Sequence, residues 1–181
     1  MDRPSKTEVN QAYGKHVPDV IGPGLKALFC GINPGLYSAA IGHHFGRPGN
    51  RFWKVIYQAD FTPRLFTPYE DGLLVELGYG ITNLVARATA NAKELTAEEL
   101  RHGVLILEAK VQKYHIQMVA VQGIGAYQLA FQRRKAIMGL QPENLAEARL
   151  WVLPNPSGLN TNYQLADLTR EYRRLLSYAW D

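Results

Sequence analysis

The chain has 181 residues, of which 46% are hydrophobic and 20% charged, and this composition is typical of one globular domain rather than a disordered, collagen-like or coiled-coil protein. A single cysteine, Cys30, excludes an internal disulfide and a zinc or iron–sulfur site built from cysteines. The net charge of +4 permits an acidic partner without requiring one. Because the N-terminus is polar and no apolar run approaches the roughly 20 residues of a membrane helix, we expect a cytoplasmic protein.

Residues 1–23 contain several prolines and glycines, and this composition predicts an irregular N-terminal segment. A single domain is predicted over residues 24–181. The apolar run 25–32 predicts a buried strand that stops at the turn Asn33-Pro34-Gly35. Apolar residues at helical spacing follow Asn50, a residue suited to an N-cap, and predict a helix over 50–58. A short helix over 69–77 and a strand over 79–85 complete this half of the chain.

Helices and strands also alternate in the second half of the chain. Thr96 and Glu99 form a capping-box pattern that predicts a helix start, and the helix should run to about Tyr114. Strands are predicted over 117–123 and 149–153, with a helix through Phe131 between them and a last helix over 165–178. This alternation predicts an α/β fold, mostly parallel, with its site in the loops that leave the carboxyl ends of the strands.

The first of those loops follows the first strand as Gly31-Ile32-Asn33-Pro34-Gly35. Its glycines let the backbone approach a ligand closely, and Asn33 presents an amide and a carbonyl that cannot titrate. Such a side chain can hold a water or the edge of a base. A plain Asx-Pro turn remains the alternative for this motif alone.

Residues 42–53 form a glycine-rich stretch that contains adjacent histidines, an aromatic residue and two arginines. Phe45 is a candidate stacking platform, because every base has a π-face; its alternative role is a core anchor under the loop. His43 and His44 lack the spacing of a metal site, so we interpret them as part of a solvated loop. No acidic residue lies between Asp19 and Asp60, which leaves the cations of this stretch uncompensated in sequence.

A second stiff loop, Pro154-Asn155-Pro156-Ser157-Gly158-Leu159, follows the strand 149–153. Leu159 is a candidate wedge for a base stack, and the alternative is a side chain tucked under the loop. Elsewhere, Gln128 replaces the third glycine of a dinucleotide-binding fingerprint after Gly123, so that motif fails. We interpret residues 133–135 and 173–174, which are all basic, as solvated helix faces.

These motifs, in this order, resemble those of the bacterial mismatch-specific uracil-DNA glycosylases. The matching pieces are Asn33-Pro34-Gly35, Phe45, Asn50-Arg51-Phe52-Trp53-Lys54 and Asn155-Pro156-Ser157-Gly158-Leu159. Gly42-His43-His44 and Gly139-Leu140-Gln141-Pro142 are similar to the related thymine-DNA glycosylase. The resemblance covers residues 24–178 and implies the three-layer α/β/α sandwich of the uracil-DNA glycosylase superfamily.

The resemblance also implies a role for individual residues. Asn33 would position the attacking water, and Thr82 would help to hold it. The implied base pocket consists of Ile32, Ser38, Phe45, Asn83 and Asn155. The implied loop that enters the duplex and contacts the unpaired guanine is Gly158-Leu159-Asn160. Candidate phosphate contacts are Arg47, Arg51 and Ser157.

The expected function is therefore hydrolytic excision of uracil mispaired with guanine in double-stranded DNA, which initiates base excision repair. Related damaged pyrimidines such as ethenocytosine are further expected substrates, with thymine a further candidate. No metal or cofactor is implied, the partner is duplex DNA, and we expect a monomer. Two alternatives remain open at this point: a lesion-binding protein without turnover, and an α/β protein that binds a small nucleotide.

Overall fold

The computed structural model describes residues 3–180, so the predicted domain limits at residues 1 and 181 lie outside the described residues. The strands are β1 (Ala27–Gly31), β2 (Tyr79–Asn83), β3 (Met118–Gln122), β4 (Gly139–Leu145) and β5 (Ala148–Leu153). The α-helices are α1 (Lys6–Asn10), α2 (Leu36–Ile41), α3 (Phe52–Gln58), α4 (Ala97–Tyr114), α5 (Ile124–Ala130) and α6 (Leu165–Trp180). Two 3₁₀ helices span Pro68–Leu77 and Ala92–Glu94.

The five strands form one sheet in the order β2-β1-β3-β5-β4, parallel throughout except for β4. The predicted α/β fold with a mostly parallel sheet is confirmed. Strand β4 was not predicted, and Pro142 explains why: proline cannot donate to a ladder and is confined to edges and bulges. Here β4 is an edge strand, and its pairing with β5 shifts register between Leu140 and Asn144.

Alternate side chains of β1 enter two different hydrophobic cores, because successive residues of a strand point to opposite faces. Phe29 packs edge-on against Phe52 of α3 and stacks on Tyr172 of α6. Leu28 and Cys30 join the core that α4 and α5 cover on the other face. The sheet therefore lies between two helical layers, as the predicted three-layer sandwich requires.

Three segments differ from the predicted elements. The segment 1–23, predicted as irregular, contains α1, whose start is capped by the Ser5 hydroxyl. Helix α2 was not predicted, and the helix predicted over 69–77 is a 3₁₀ helix over Pro68–Leu77. The N-terminal segment is bound to the sheet, since Val20 forms an antiparallel bridge with Ile81. Within residues 3–180, none of the helices combines the length and the apolar character that a membrane crossing requires.

The connections around β1 create the crevice in which the site lies. From β1 the chain moves to β2 on one side, and it later returns to β3 on the other. At such a point the loops that follow neighbouring parallel strands diverge, and ligands of open α/β sheets bind between them.

Candidate active site

A cleft of about 230 Å³ lies at the carboxyl ends of β1, β2, β3 and β5. Its lining includes nine of the predicted site residues: Ile32, Asn33, Ser38, Phe45, Arg47, Asn83, Asn155, Ser157 and Leu159. The fold thus gathers side chains that are up to 127 positions apart in the chain, the separation of Ile32 and Leu159. Larger but shallower grooves lie elsewhere, among them one along α6 and one beside α5.

Asn33 is held by its amide nitrogen. Nδ2 donates to the backbone oxygen of Arg87 at 2.9 Å and to Thr89 Oγ1 at 2.8 Å. The Thr89 hydroxyl donates in turn to the Asn91 carbonyl at 2.9 Å, so its oxygen is the acceptor for Asn33. Both amide hydrogens of Asn33 are used, and Oδ1 is left as an acceptor for a water or ligand in the cleft.

An ion pair fixes the segment that holds Asn33. Arg87 donates to both carboxylate oxygens of Glu99, from Nε at 2.6 Å and from Nη2 at 3.1 Å. These bonds, with the backbone N–H of Thr96, lower the pKa of Glu99 to about 2. Glu99 also closes the capping box with Thr96 at the start of α4. The loop that positions Asn33 is therefore tied to a helix terminus.

Thr82 does not line the cleft, so the structure does not bring it beside Asn33, where the resemblance implies that it helps to hold the water. Its hydroxyl donates to Asp19 Oδ1 at 2.8 Å and accepts from Lys110 Nζ at 2.9 Å, in a polar cluster on the α4 side of the sheet. Thr82 pairs in register with Cys30, whose side chain also faces α4. Thr89 contacts Asn33 instead.

The next residue of β2, Asn83, points into the cleft because strand side chains alternate. It pairs in register with Gly31, and its Oδ1 lies 2.6 Å from the position that a Cβ on Gly31 would occupy. Any side chain at Gly31 would therefore displace Asn83. Within the described chain the Asn83 amide has no hydrogen-bond partner, so it is free to contact a ligand.

Gln122 lines the same cleft and was not predicted as a site residue. It is 1% exposed, and its Nε2 donates to the Tyr172 hydroxyl at 3.1 Å. Tyr172 donates onward to the Pro154 carbonyl at 3.4 Å, which orients the amide. The remaining atom, Oε1, is buried without a partner among the described residues. A buried unpaired acceptor is costly, so this atom marks a place for a ligand donor.

Phe45 is packed on the core and also reaches the cleft. Its ring is stacked on Phe52 with 3.9 Å between centroids and 21° between planes, which anchors it to the core of α3. It also lines the cleft and stays partly exposed there. Its backbone φ of 52° is left-handed, a conformation unusual for a bulky residue and common at functional sites.

The histidines hold the loop in shape. His44 is buried, and its Nε2 lies 2.9 Å from the Pro18 carbonyl, to which it must donate. Burial lowers the pKa of His44, so the ring is neutral at pH 7 and its proton sits on Nε2. His43 contacts Asp71 at 3.1 Å. The interpretation of these residues as solvated is wrong for His44.

The loop 42–51, which carries both histidines and is called the histidine loop, is also bound to α2. The Gly46 N–H donates to the buried Ser38 hydroxyl at 3.0 Å. Ser38 thus lines the cleft as a support for the loop that carries Phe45. Over residues 3–180, no group of three or more His, Cys, Asp or Glu side chains is placed to hold a metal ion.

Leu159 is 70% exposed at the cleft mouth, so the alternative that it is tucked under its loop is wrong. The loop itself is ordered: Asn155 Oδ1 accepts from the Ser157 N–H at 2.9 Å, and Asn160 Nδ2 donates to the Asn155 carbonyl at 3.0 Å. Asn155 is therefore both a wall of the cleft and the organiser of the loop. A large apolar side chain is held out into solvent.

Gly158 lets this loop pack closely on the histidine loop. A Cβ at Gly158 would lie 2.6 Å from the backbone oxygen of Gly49, so a larger residue would force the two loops apart. Together with Arg47, Ser157 and Leu159, Gly158 lines a second cavity, of about 270 Å³, beside the cleft.

Arg51 is a clamp within the protein: four of the five N–H groups of its guanidinium donate inside the chain, and its phosphate contact stays a prediction. Each of its guanidinium nitrogens donates to the backbone of the Leu159 loop: Nε to Pro156 O at 3.3 Å, Nη1 to Tyr163 O at 2.6 Å, and Nη2 to Ser157 O at 2.6 Å and Asn160 O at 2.9 Å. The rigid fork of an arginine suits such a set of carbonyls. No guanidinium nitrogen of Arg51 is left without a protein partner.

Arg47 differs from Arg51, since it is exposed at the mouth of the cleft. It forms no ion pair within residues 3–180 and remains a candidate phosphate contact. The Ser157 hydroxyl accepts from the Leu159 N–H at 3.2 Å, which leaves its own proton for a phosphate oxygen.

The site is thus an amide-lined cleft at the switch point of an open α/β sheet, with an aromatic ring in its lining and an exposed leucine at its mouth. The family described as the Uracil DNA glycosylase superfamily matches residues 18–178. The chain belongs to this superfamily, whose members are DNA glycosylases. The solution NMR structure of a candidate uracil DNA glycosylase from Methanosarcina acetivorans is similar in fold, with a TM-score of 0.60 and 20% identity over 90% of this chain and 98% of that chain.

Proposed function

We propose that this protein flips uracil out of a mispair with guanine in duplex DNA and hydrolyses its N-glycosidic bond, as the resemblance to mismatch-specific glycosylases suggests. Ethenocytosine and related damaged pyrimidines are further proposed substrates. The main support for the proposal is the hydrogen bonding of Asn33. Both of its amide hydrogens are bound by the protein, and Oδ1 remains an acceptor in the cleft.

An oriented water suits this reaction. Loss of uracil leaves a delocalised pyrimidine anion and an oxocarbenium-like sugar. The reaction is therefore dissociative and does not require a strong nucleophile. Asn33 can orient the water but cannot accept its proton, because an amide does not titrate near neutral pH. We therefore expect slow turnover, since a positioned carboxylate would be the better general base.

The polar groups of the cleft match the edge of uracil. Uracil presents an N3–H donor between two carbonyl acceptors. Gln122 Oε1 is a fixed acceptor that could receive the N3–H, and the Asn83 amide is free to bind a carbonyl. Cytosine and ethenocytosine both lack an N3–H and would leave Gln122 Oε1 unpaired, so we expect ethenocytosine to be released more slowly than uracil. A site that hydrogen-bonds one substrate rejects an analogue that leaves its buried groups unpaired.

Access to a base in a duplex requires flipping, which costs a few kcal/mol. Phe45 offers the extruded base a stacking surface, and Leu159 is placed to fill the gap that the base leaves. The exposed cations Arg47 and Lys54 lie on the chain segments next to these residues and can contact phosphates.

The proposal is tested by single-turnover excision from matched duplexes that carry uracil opposite guanine, uracil opposite adenine, thymine opposite guanine, or ethenocytosine opposite guanine. We expect uracil opposite guanine to be released faster than uracil opposite adenine, because the weaker pair costs less to open. Equal rates would contradict mismatch selectivity. Lesion binding without release would favour the non-catalytic alternative, and absence of duplex affinity would favour a small-nucleotide-binding protein.

Replacement of Leu159 by alanine separates a wedge from a structural residue. Because the side chain is exposed in the free protein, the melting temperature should hardly change. Affinity for the uracil duplex should fall by about 1–3 kcal/mol, the size of a stacking or gap-filling contact. Affinity for undamaged duplex, which depends on phosphate contacts, should stay constant. A large loss of melting temperature with unchanged lesion affinity would refute the wedge assignment.

Excision should also continue in the presence of a chelator. The proposed chemistry uses only Asn33, a water and the amides of the cleft, so EDTA should leave the single-turnover rate unchanged. The measurement compares dialysed protein with and without EDTA. Activity that disappears and returns on addition of zinc or magnesium would contradict a reaction without a metal.

A further inference from the structure

A groove of about 1,100 Å³ runs beside α5, away from the cleft. Three large apolar side chains are exposed in it: Leu129 at 54%, Ile137 at 69% and Leu140 at 39%. Large apolar side chains exposed together mark interaction sites more often than single exposed ones do. Residues 133–135, interpreted from sequence as a helix face, lie in the turn after α5 and form one wall of this groove. We call it the α5–β4 groove.

Two glutamines hold the turn that presents Ile137. Gln128 Nε2 donates to the carbonyls of Arg134 at 3.2 Å and Ala136 at 3.3 Å. From the other side, the buried amide of Gln141 donates to Ile137 O at 2.7 Å and Gly139 O at 2.8 Å. The backbone that carries the exposed isoleucine is thus held before any partner binds, which reduces the entropy cost of association.

The charges in the groove are unbalanced. Its one acidic residue, Glu143, is already bound by the Tyr127 hydroxyl at 2.6 Å and by Arg133 at 3.2 Å. Arg101, Arg134 and Lys135 also line the groove, and none of them forms an ion pair within the described residues. Three cations therefore surround the apolar side chains without compensation.

We propose that the α5–β4 groove binds a segment of a partner protein that carries acidic residues around apolar ones. The cations Arg101, Arg134 and Lys135 would meet the acidic residues, and Ile137 with its apolar neighbours would meet the apolar ones. A DNA backbone fits less well, because it offers nothing to the three exposed apolar side chains. The groove shares no lining residue with the cleft and takes no part in the proposed excision.

The test uses two short fluorescein-labelled peptides with leucines at helical spacing. One carries glutamates at the remaining positions, and the other carries lysines. Fluorescence anisotropy should show binding of the glutamate peptide alone, weakening as salt rises. The double variant Leu129→Ser/Ile137→Ser should reduce that affinity at least about 10-fold, the effect of losing a well-packed contact. Arg134→Ser/Lys135→Ser should reduce both the affinity and its salt dependence.

Leu105→Ser is the matched control, because Leu105 is exposed on α4 outside the groove. It should bind the glutamate peptide as the wild type does, and all variants should keep the wild-type melting temperature and uracil excision rate. Equal binding of both peptides, no binding of either, or an equal loss in Leu105→Ser would overturn the proposal. The proposal would also fail if Arg134→Ser/Lys135→Ser reduced the affinity for undamaged duplex and left the affinity for the glutamate peptide unchanged.

Discussion

Replacement of Asn33 by alanine should slow uracil release by about 10²–10⁴-fold in single-turnover assays, the usual effect of removing a positioned catalytic group. The variant removes Oδ1, the acceptor that orients the water, and frees the partners of Nδ2, Arg87 O and Thr89 Oγ1. Lesion binding should persist, because Phe45 and the amides of the cleft remain. Normal turnover by Asn33→Ala would refute the assignment.

Asn33→Asp is the informative companion variant. A carboxylate can orient the water and also accept its proton, so this variant should remain active or gain activity once it is ionised. One carboxylate oxygen would face the Arg87 carbonyl, to which Nδ2 donates in the wild type, and this contact should raise the pKa of the new carboxyl. The rate of the variant should rise with pH through the pKa of the new carboxyl and then level off, because only the ionised form acts as a base. The wild type, with an amide at this position, should lack that step. The measurement is the single-turnover rate of both proteins as a function of pH.

Arg51→Lys should weaken binding of the uracil duplex by about 10–100-fold although the charge is kept. The reason is geometric: one ammonium cannot replace a fork that donates to four carbonyls, and a hydrogen bond from a charged donor contributes about 1.5–3 kcal/mol. Without the clamp, the loop must be ordered during binding before Leu159 can act. Titration of uracil duplex and of undamaged duplex measures the effect, and affinity for the second should change little.

Arg47→Ala is the matched control for that experiment. As an exposed phosphate contact, Arg47 should affect both duplexes alike, and its loss should reduce the slope of log affinity against log salt by about 1. If Arg51→Lys behaved in this way, or bound the uracil duplex as tightly as the wild type, the clamp would be refuted.

The sequence predicted the loops that form the cleft better than the direction of each side chain. Asn33 could be found because it follows an apolar strand in a distinctive turn. The resemblance put both Thr82 and Asn83 in the site, although successive residues of a strand point to opposite faces of the sheet and only one of them can line the cleft. The same limit applies to Arg51, whose charge suggested a phosphate while its partners are carbonyls of a loop more than 100 residues away.

Thr89 and Gln122 were missed for different reasons. Thr89 lies in an irregular segment and reaches Asn33 only because its N–H bonds to the carbonyl of Pro34, a long-range contact with no local signal. Gln122 had a weak signal, a polar residue at the end of an apolar buried strand. Its meaning depends on Tyr172, a residue 50 positions later that uses one end of the amide and leaves the other unpaired.

The central claim is that the cleft accepts a flipped uracil and cleaves its bond to deoxyribose with a water held by Asn33. The most direct measurement incubates a duplex containing one uracil opposite guanine with wild-type protein and with Asn33→Ala, and detects free uracil and the abasic strand by mass spectrometry. The account predicts equal amounts of both products from the wild type and far less of either from the variant. No free uracil from the wild type, or equal release by both proteins, would contradict it.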